Sequence, residues 1–532
     1  MNKIGLKNSY SRFSKVISNK NNWICLLTGL SLVFAYAPFS HWYLALFLPA
    51  ITFHFIQNES PKNAAKYMAI FAFGWFASGI SWVHVSIDQF GGLPLIISLS
   101  LMLMLCVYLS LFPTLAVYLT ARFSKNRQLN LWLLPSFWLI CEFLRSVFLT
   151  GFPWLSIGYS QIDSPLATFA PLIGEVGITS LIIFINICIV KIAYSIKEKK
   201  LTTIKTPIII ILFIGLINVI LINLNWVKPN GISPKIALVQ GNIPQSIKWA
   251  PEQEWPTMLK YLDLTRINYD ADIIVWPESA IPAMEATVQD YLATVNKSAL
   301  LNNNAIITGI INYNYDSKEY FNSLITLGKK QTDDQQGYYY NHSNRYSKNH
   351  LLPIGEFVPF QEWLRPLAPF FNLPMSSFSR GDYVQNNLIA NDIYLLPLLC
   401  FEIAFPHQLA ANLTKQTNLI LTVSNDAWFG GSHGPHQHME IARMRALEFG
   451  RPLIRATNNG ITAIIDHKGK FIARIPQFEE RVLKASVPLV IGETPYSQWP
   501  KGILILMIII PLIIIRFLNL INKKPKNLTR FV

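Results

Sequence analysis

The sequence predicts a polytopic α-helical membrane domain of eight spans, with one external α/β domain inserted between the seventh and the eighth. Three observations predict this. Of 532 residues, 51% are hydrophobic and only 14% charged, with a mean hydropathy of +0.31, whereas soluble domains carry about 25% charged residues. The apolar residues are bunched in runs of helical length at the two ends of the chain. Charge divides the same way: residues 229–496 hold 22 Lys/Arg and 24 Asp/Glu, a net of −2, while the flanks hold 23 and 6, a net of +17. The overall +15 therefore belongs to the membrane part, where Lys and Arg mark the cytoplasmic side, and argues against a nucleic-acid partner. The division gives a membrane domain over 1–228, an external domain over 229–496 and a last span with its tail over 497–532.

Spanning runs are expected near 23–38, 42–57, 66–87, 93–120, 131–149, 166–195, 206–226 and 502–521, each of roughly the 17–25 residues that cross a bilayer. The first two are short and separated by Pro38-Phe39-Ser40-His41; Ala35-Tyr36-Ala37 imitates a signal-peptide cleavage site, but six further apolar runs follow it. Lys3, Lys7, Arg12, Lys15 and Lys20 place the N-terminus inside. Lys62/Lys66, Arg122/Lys125/Arg127 and Lys197/Lys199/Lys200/Lys205 mark the even connections as cytoplasmic, while 38–41, 88–92 and 150–165 carry no Lys or Arg. Seven crossings put 229–496 outside, and the eighth returns Lys523, Lys524, Lys526 and Arg530 to the cytoplasm. Within the spans, Glu142 and Arg145 sit three apart, within reach on one helix face; they suit a structural pair or a headgroup contact equally.

The external domain alternates short β-branched runs with helical spacing. Strands are expected at Ile236–Gln240, Asp272–Trp276, Ala305–Gly309, Ser323–Thr326, Tyr394–Cys400, Asn418–Ser424 and Pro452–Thr457, with helices at 253–269, 287–299, 405–413 and 435–449. In the first helix Trp255, Met258, Leu259 and Leu262 make the apolar spacing. Such alternation predicts sheets covered by helices, with functional residues at strand ends and in the loops beyond them. Loop 350–380, rich in Pro and aromatics, suits either packing on the domain or a lipid-facing role; Asp426–Ser432 places an aromatic tip before a glycine pair, a lid or a turn. His433, His436 and His438 lack the Cys or carboxylate partners of a metal site and are expected to precede a helix opened by Pro435. Nothing in the spacing calls for a metal or a cofactor.

Three polar residues lie at the ends of apolar strands. Glu278, in Trp276-Pro-Glu-Ser279, suits a helix cap or a general base. Lys348 could be a surface lysine. Cys400 is the one cysteine outside the spans, which hold Cys25, Cys106, Cys141 and Cys188; alone, it reads as a small buried hydrophobe or a nucleophile. Together the three form a chemical set. A thiol needs a base and a nearby cation to react as thiolate, and an ammonium with a backbone N–H stabilises the tetrahedral oxyanion.

In this order and context the three residues resemble the Glu-Lys-Cys triad of the carbon-nitrogen hydrolase (nitrilase) superfamily, which implies an αββα sandwich. The resemblance extends to the apolipoprotein N-acyltransferase family through Gln240–Ser246, Trp276–Pro282, Lys348–Pro359, Ser376–Gly381 and Ser424–Gly430, and through Leu149–Leu155 in the membrane part. It covers essentially the whole chain. It implies a multi-pass enzyme of the bacterial inner membrane, termini cytoplasmic and catalytic domain periplasmic. Glu278 would be the general base, Cys400 the nucleophile and Lys348 the oxyanion stabiliser. Cys400 would take an acyl chain from a phospholipid, phosphatidylethanolamine, as a thioester and pass it to the α-amine of a diacylglyceryl-cysteine on an apolipoprotein, the last step of lipoprotein maturation. Matching positions imply substrate-site roles for Trp249, Glu356, Glu402 and Trp428, against a loop salt bridge for the two acids and ordinary packing for the two tryptophans. Phe401 departs from the Tyr common there, and loop 350–380 then reads as a lipid-facing lid. Two other readings use the same residues differently: a membrane-anchored nitrilase or amidase that passes the acyl group to water, and a non-enzymatic channel or scaffold in which Cys400 does nothing.

Overall fold

A computed structural model describes residues 19–124, 130–353, 355–357 and 378–521. Lys3, Lys7, Arg12 and Lys15, Lys125 and Arg127, most of loop 350–380 and the C-terminal tail lie outside the described residues, and with them the lid reading.

The membrane domain begins with α1 (Lys20–Ser31), N-capped by the Asn19 side chain and continued by a 3-10 turn over Leu32–Ala35. After the break at Pro38, a 3-10 turn leads into α2 (Leu48–Ile56). Then come α3 (Pro61–Gly79), α4 (Leu95–Phe123), α5 (Leu134–Val147), α6 (Ala170–Lys197) and α7 (Lys205–Ile222). Five helical stretches among the described residues are long and apolar enough to cross a membrane: Leu95–Phe123, Leu131–Thr150, Pro165–Lys197, Leu201–Ile222 and Pro500–Phe517. A sixth forms if α3 and Val83–Phe90, bent by 53°, count as one span. The expected eight are not reached by this measure. Twelve α-helical residues in α1 rise only ~18 Å, short of a hydrocarbon core of about 30 Å, and α2 is shorter still. Ile209, Leu212, Phe213 and Leu216 on α7 are exposed, an apolar face suited to lipid.

The C-terminal domain is two six-stranded sheets face to face. One runs β13-β2-β3-β4-β5-β6 and the other β12-β11-β10-β9-β8-β7, formed by β2 (Lys235–Gln240), β3 (Ile273–Val275), β4 (Ala305–Asn314), β5 (Glu319–Gly328), β6 (Arg345–Ser347), β7 (Leu388–Ala390), β8 (Ile393–Leu399), β9 (Leu419–Ser424), β10 (Leu453–Thr457), β11 (Thr462–Ile465), β12 (Phe471–Ile475) and β13 (Arg481–Ser486). Short β1 (Val227–Pro229) and β14 (Val490–Gly492) pair beside them. Strand alternation sorts the side chains. Ile236, Leu238, Ile273 and Val275 meet Leu395, Leu399, Leu421 and Val423 between the sheets. Ala237, Val239 and Ile274 turn outward under α8 (Pro251–Arg266) and α9 (Gln289–Leu301). Because both faces are covered, the strands read as continuous apolar runs. On α8, Met258, Tyr261 and Leu262 are buried but Trp255, expected in the core, is 55% exposed.

Pro397 lies inside β8, where a missing N–H would normally break a ladder. It is tolerated because β7 pairs only as far as Leu395, leaving the end of β8 bonded on one side, to β9. The outer face of this same sheet packs on α10 (Pro406–Asn412) and α11 (Gly434–Phe449), and one hydrophobic cluster continues through them into the membrane helices. The chain ends in α12 (Pro495–Gln498) and α13 (Pro500–Ile521).

Helix α11 is the seam between the two parts. Its residues Gln437 to Ala442 and Met444 to Phe449 are buried, although many are polar. Arg445 and Glu448 pair with each other at 2.8 Å, and several of the polar residues take partners from the membrane domain. Gln437 accepts from Trp82 Nε1 (3.1 Å) and Trp154 Nε1 (2.7 Å) and donates to Gly79 O (3.0 Å); Glu440 accepts from Ala37 N; Arg445 donates to Tyr159 Oη; Glu448 accepts from Glu175 N.

Candidate active site

Glu278, Lys348 and Cys400 each stand just past the end of a strand, β3, β6 and β8. Glu278 needs close approach to β4: a Cβ on Gly309 would fall 2.4 Å from Ser279 N and 2.9 Å from Glu278 Cα. Cys400 opens a 3-10 turn over Cys400–Ala404 with φ at +52°, a left-handed conformation costly for a non-glycine residue. It turns the chain sharply out of β8 and presents the sulfur at the strand end.

Lys348 Nζ lies 3.3 Å from Glu278 Oε1 and 2.9 Å from Glu356. Asn322 Nδ2 bridges the same two carboxylates, at 2.9 and 3.0 Å. The second Glu278 oxygen accepts from Asn425 N at 3.1 Å, and Glu356 Oε2 from Leu352 N at 2.9 Å. Glu278 and Lys348 are 6% and 2% exposed. Burial works against both charges, yet each holds the other. Lys348, Asn322 and Lys248 keep the Glu278 carboxyl below its ordinary range, and Glu278, Glu356 and Cys400 hold the Lys348 ammonium well above its own. Burial pushes the Cys400 thiol up to about 12, Glu278 acts in the same direction, and Lys348 opposes it. At rest the site holds a carboxylate, an ammonium and a neutral thiol.

The four residues expected at the substrate are placed unequally. Glu356 joins Lys348. Glu402 is fully buried and its two oxygens accept from Leu399 N, Asn349 N, His350 N, Tyr346 Oη and Gln408 Nε2, so it faces no substrate; it ties the Cys400 turn to the segment after Lys348. Trp249 is half-buried, its ring centroid 5.8 Å from Lys248 Nζ. Trp428 is half-buried against the membrane domain: its carbonyl accepts from Ser86 Oγ (2.7 Å) and its ring meets Phe90 edge-on at 5.7 Å. Phe401 packs among Phe152, Trp154, His350 and Phe405. Among the described residues no cluster suited to a metal occurs; His433 reaches Gly79 O and His438 the Cys400 carbonyl.

Sequence reasoning missed Asn322 and Lys248. Asn322 is mid-strand in β5 with nothing local to distinguish it. Lys248, 2% exposed, donates to the Glu278 carbonyl at 3.2 Å and is pulled down to about 8 by burial; its neighbour Trp249 was the only local signal. Glu142 and Arg145 form a buried pair at 2.5 Å, and Arg145 also donates to Phe152 O (2.6 Å) and Trp154 O (2.7 Å). The structural alternative for that pair is the one observed.

Two sheets face to face between helices, with Glu, Lys and Cys converging at strand ends, define a domain of carbon-nitrogen hydrolase type. Residues 235–496 match the carbon-nitrogen hydrolase family, and residues 28–188 match the apolipoprotein N-acyltransferase N-terminal domain. The chain is 50% identical over 475 residues to apolipoprotein N-acyltransferase of Vibrio cholerae, covering 88% of this chain and 92% of that one. It is 37% identical over 496 residues to that of Pseudomonas syringae pv. tomato, covering 92% and 95%. Among solved structures it is similar to Saccharomyces cerevisiae Nit3 of the nitrilase superfamily, at 15% identity and a TM-score of 0.34, over 58% of this chain and 99% of that one. The chain belongs to the apolipoprotein N-acyltransferase family, and it is an acyltransferase with apolar helices suited to a membrane.

Proposed function

We propose that the protein moves an acyl chain from a membrane phospholipid, phosphatidylethanolamine, onto the α-amine of a diacylglyceryl-cysteine at an apolipoprotein N-terminus, through a thioester on Cys400. The observation that carries this reading is the buried Glu278–Lys348–Glu356 cluster beside a cysteine held at φ +52°. The charge pattern of the lysines and arginines supports a periplasmic position for the catalytic domain and cytoplasmic termini.

The electrostatics favour a concerted first step. With the thiol pushed up to about 12, a free thiolate at neutral pH would cost ~7 kcal/mol, five units at 1.36 each. Attack with simultaneous transfer of the Sγ–H proton to Glu278 avoids that cost. The sulfur–carbon bond forms as the ester carbonyl becomes an oxyanion. At rest Glu278, Glu356 and Lys348 sum to −1; in the tetrahedral intermediate Glu278 is neutral and the oxyanion carries its charge, so the buried site keeps the same net charge. Lys348 stands beside both positions and stabilises the new one. Glu278 then returns the proton to the departing lysophospholipid oxygen. The acceptor amine attacks the thioester by the same route in reverse, which gives ping-pong kinetics.

Trp154 stacks on Phe401, the residue after the nucleophile, at 6.2 Å, which supports a site built against the membrane part, where both lipid-anchored substrates are held. The test is intact mass spectrometry of detergent-purified protein incubated with phosphatidylethanolamine, beside Cys400→Ala, followed by a diacylglyceryl peptide. The expected result is a hydroxylamine-sensitive acyl adduct on wild type alone, discharged as N-acyl peptide. No adduct on folded protein overturns the thioester route; discharge only to free fatty acid makes the protein a hydrolase.

A further inference from the structure

A second buried polar cluster, which the steps above do not use, reaches Cys400 through Ser424. Ser424, the last residue of β9, has its Oγ 3.4 Å from Cys400 Sγ and 2.5 Å from Asp426 Oδ1. Asp426 Oδ2 accepts from Arg455 Nη2 at 2.8 Å. His438 of α11 reaches the Cys400 carbonyl through Nε2 at 3.0 Å. A carbonyl only accepts, so Nε2 carries the proton; Nδ1 lies 2.9 Å from Arg455 Nη2, which can only donate, and 3.2 Å from Asp426 Oδ1, and burial together with Arg455 outweighs Asp426 and keeps the imidazole neutral. Ser424, Asp426, His438 and Arg455 are 0%, 1%, 0% and 0% exposed. The space for Asp426 exists because residue 460 is glycine: a Cβ there would lie 2.4 Å from Asp426 Oδ2.

Ser424 has one hydroxyl proton and two claimants for it. While the sulfur is a neutral thiol, the Asp426 carboxylate is the stronger acceptor and holds the proton. When the thiol proton passes to Glu278, the developing thiolate becomes an anionic acceptor, and rotation about the Ser424 Cβ–Oγ bond carries the hydrogen bond to sulfur. The switch leaves no bare anion, since Arg455 already neutralises Asp426. Sulfur gains negative charge in both half-reactions, as its proton leaves during attack and again as the thioester carbon–sulfur bond breaks, so the same donor serves each. The charged groups that act on the sulfur are Glu278, Lys348 and Asp426, the last paired with Arg455, while His438 is neutral.

We propose that Ser424 is a further catalytic residue, a hydrogen-bond donor to the Cys400 thiolate, and that Asp426, Arg455 and His438 are positioning residues that store its proton and fix the nucleophile turn. This rests on Cys400 as the nucleophile, but its test reads the thiol itself. Loss of a hydrogen bond to a charged group shifts a thiol by about one unit. A tenfold smaller thiolate fraction, partly offset by greater intrinsic nucleophilicity, gives roughly threefold slower alkylation.

The experiment measures iodoacetamide alkylation of Cys400 by peptide mapping at pH 7–9, and acyl-enzyme formation from phosphatidylethanolamine, in wild type, Ser424→Ala and Ser424→Thr. Ser424→Ala is expected to slow alkylation about threefold and acyl-enzyme formation about tenfold, and Ser424→Thr to restore both. Alkylation unchanged in Ser424→Ala overturns the proposal, even if acylation falls, because a displaced substrate would not change the thiol. Should Ser424→Ala not fold, Asp426→Asn decides. It releases the serine proton to sulfur and is expected to speed alkylation about threefold; no increase overturns the proposal. If wild type alkylates as expected but never acquires an acyl group, the function proposed above fails and the assignment of Ser424 to the thiol stands.

Discussion

Glu356 separates orientation from proton transfer. Its two oxygens take Lys348 Nζ, Asn322 Nδ2 and Leu352 N. Glu356→Gln keeps one acceptor oxygen and turns the other into a donor. Either Lys348 or the Leu352 amide then faces an NH2 group, and one hydrogen bond is lost. If Lys348 loses it, the bond is charge-assisted and worth about 1.5–3 kcal/mol, a 10- to 150-fold slower step at 1.36 kcal/mol per decade. The thiol proton still has Glu278 to go to, so the acyl-enzyme still forms. Glu278→Gln removes the acceptor itself and is expected to give no adduct on the same timescale. The assay is rapid-mixing intact mass spectrometry of acyl-enzyme formation at saturating phosphatidylethanolamine, with KM taken separately. A rate within about twofold of wild type in both Glu356→Gln and Glu356→Ala, the second of which removes both acceptor oxygens, refutes the claim that this carboxylate holds Lys348 in its working position. So does a loss as complete as that of Glu278→Gln, which would make Glu356 a proton carrier.

Arg145→Ala strands the buried Glu142 and leaves the Phe152 and Trp154 carbonyls without their donor. Breaking a buried pair costs about 3–5 kcal/mol, so a clear drop in melting temperature is expected by scanning fluorimetry, and an unchanged one would show that the pair is not held as described. Cys25, Cys106, Cys141 and Cys188 are buried and Cys400 is only partly so; peptide mapping after brief iodoacetamide treatment should therefore find Cys400 modified first. Because its thiol titrates near 12, that rate should rise about tenfold per pH unit between pH 7 and 9, and a plateau below pH 8 would contradict it. His350 and His407 are each lowered to about 4, first by burial. Below about 6.5 the unfolded chain binds these protons while the folded chain does not, so stability falls as pH drops from 6.5 to 4, by up to ~3 kcal/mol per histidine, and levels below 4. Melting temperatures across that range should fall accordingly, and a rise on acidification would refute the assignment.

What was legible in the sequence was whatever had a local physical signature. Strands covered on both faces read as unbroken apolar runs, and β2, β3, β4, β8, β9 and β10 lie where those runs are. Glu278 and Cys400 were visible because each is a polar residue just past such a run; Lys348 follows the short polar β6 and was picked out by the resemblance of the motif around it. β12 and β13 were not, because they carry Arg474, Arg481 and Lys484 among smaller apolar stretches, and three-residue β6 and β7 are too short for any periodicity to register. Asn322 and Arg455 sit inside strands, and only the fold brings them to Glu278 and Asp426. Glu402 was read as a substrate residue from its matching position in the family; its five donors come from segments more than fifty residues earlier as well as from Leu399 and Gln408 nearby, and no local pattern announces that. In the membrane part, Pro38 was recognised as a break, but how short the helices on either side would be depends on packing.

Helix α11 shows why the catalytic domain and the membrane part form one machine. A helix on the surface of a soluble domain has one apolar face and one polar face. α11 has neither, because it is buried on both sides: Met444 and Phe449 lie in the cluster that runs from the sheet into the membrane helices, while Gln437, Glu440, Arg445 and Glu448 take partners from residues 37–175. Buried polar groups of this kind stabilise only when fully paired, so neither part can supply a satisfied interface without the other. His438 of the same helix holds the Cys400 carbonyl, and Trp154, held by Arg145, lies between His438 and Phe401. The Cys400 backbone is therefore braced through the seam by a membrane-domain loop. A hydrolase acting on small soluble amides has no need of such a brace. An enzyme whose donor and acceptor are both embedded in lipid does, since the position of its sulfur relative to the bilayer decides whether either substrate can reach it.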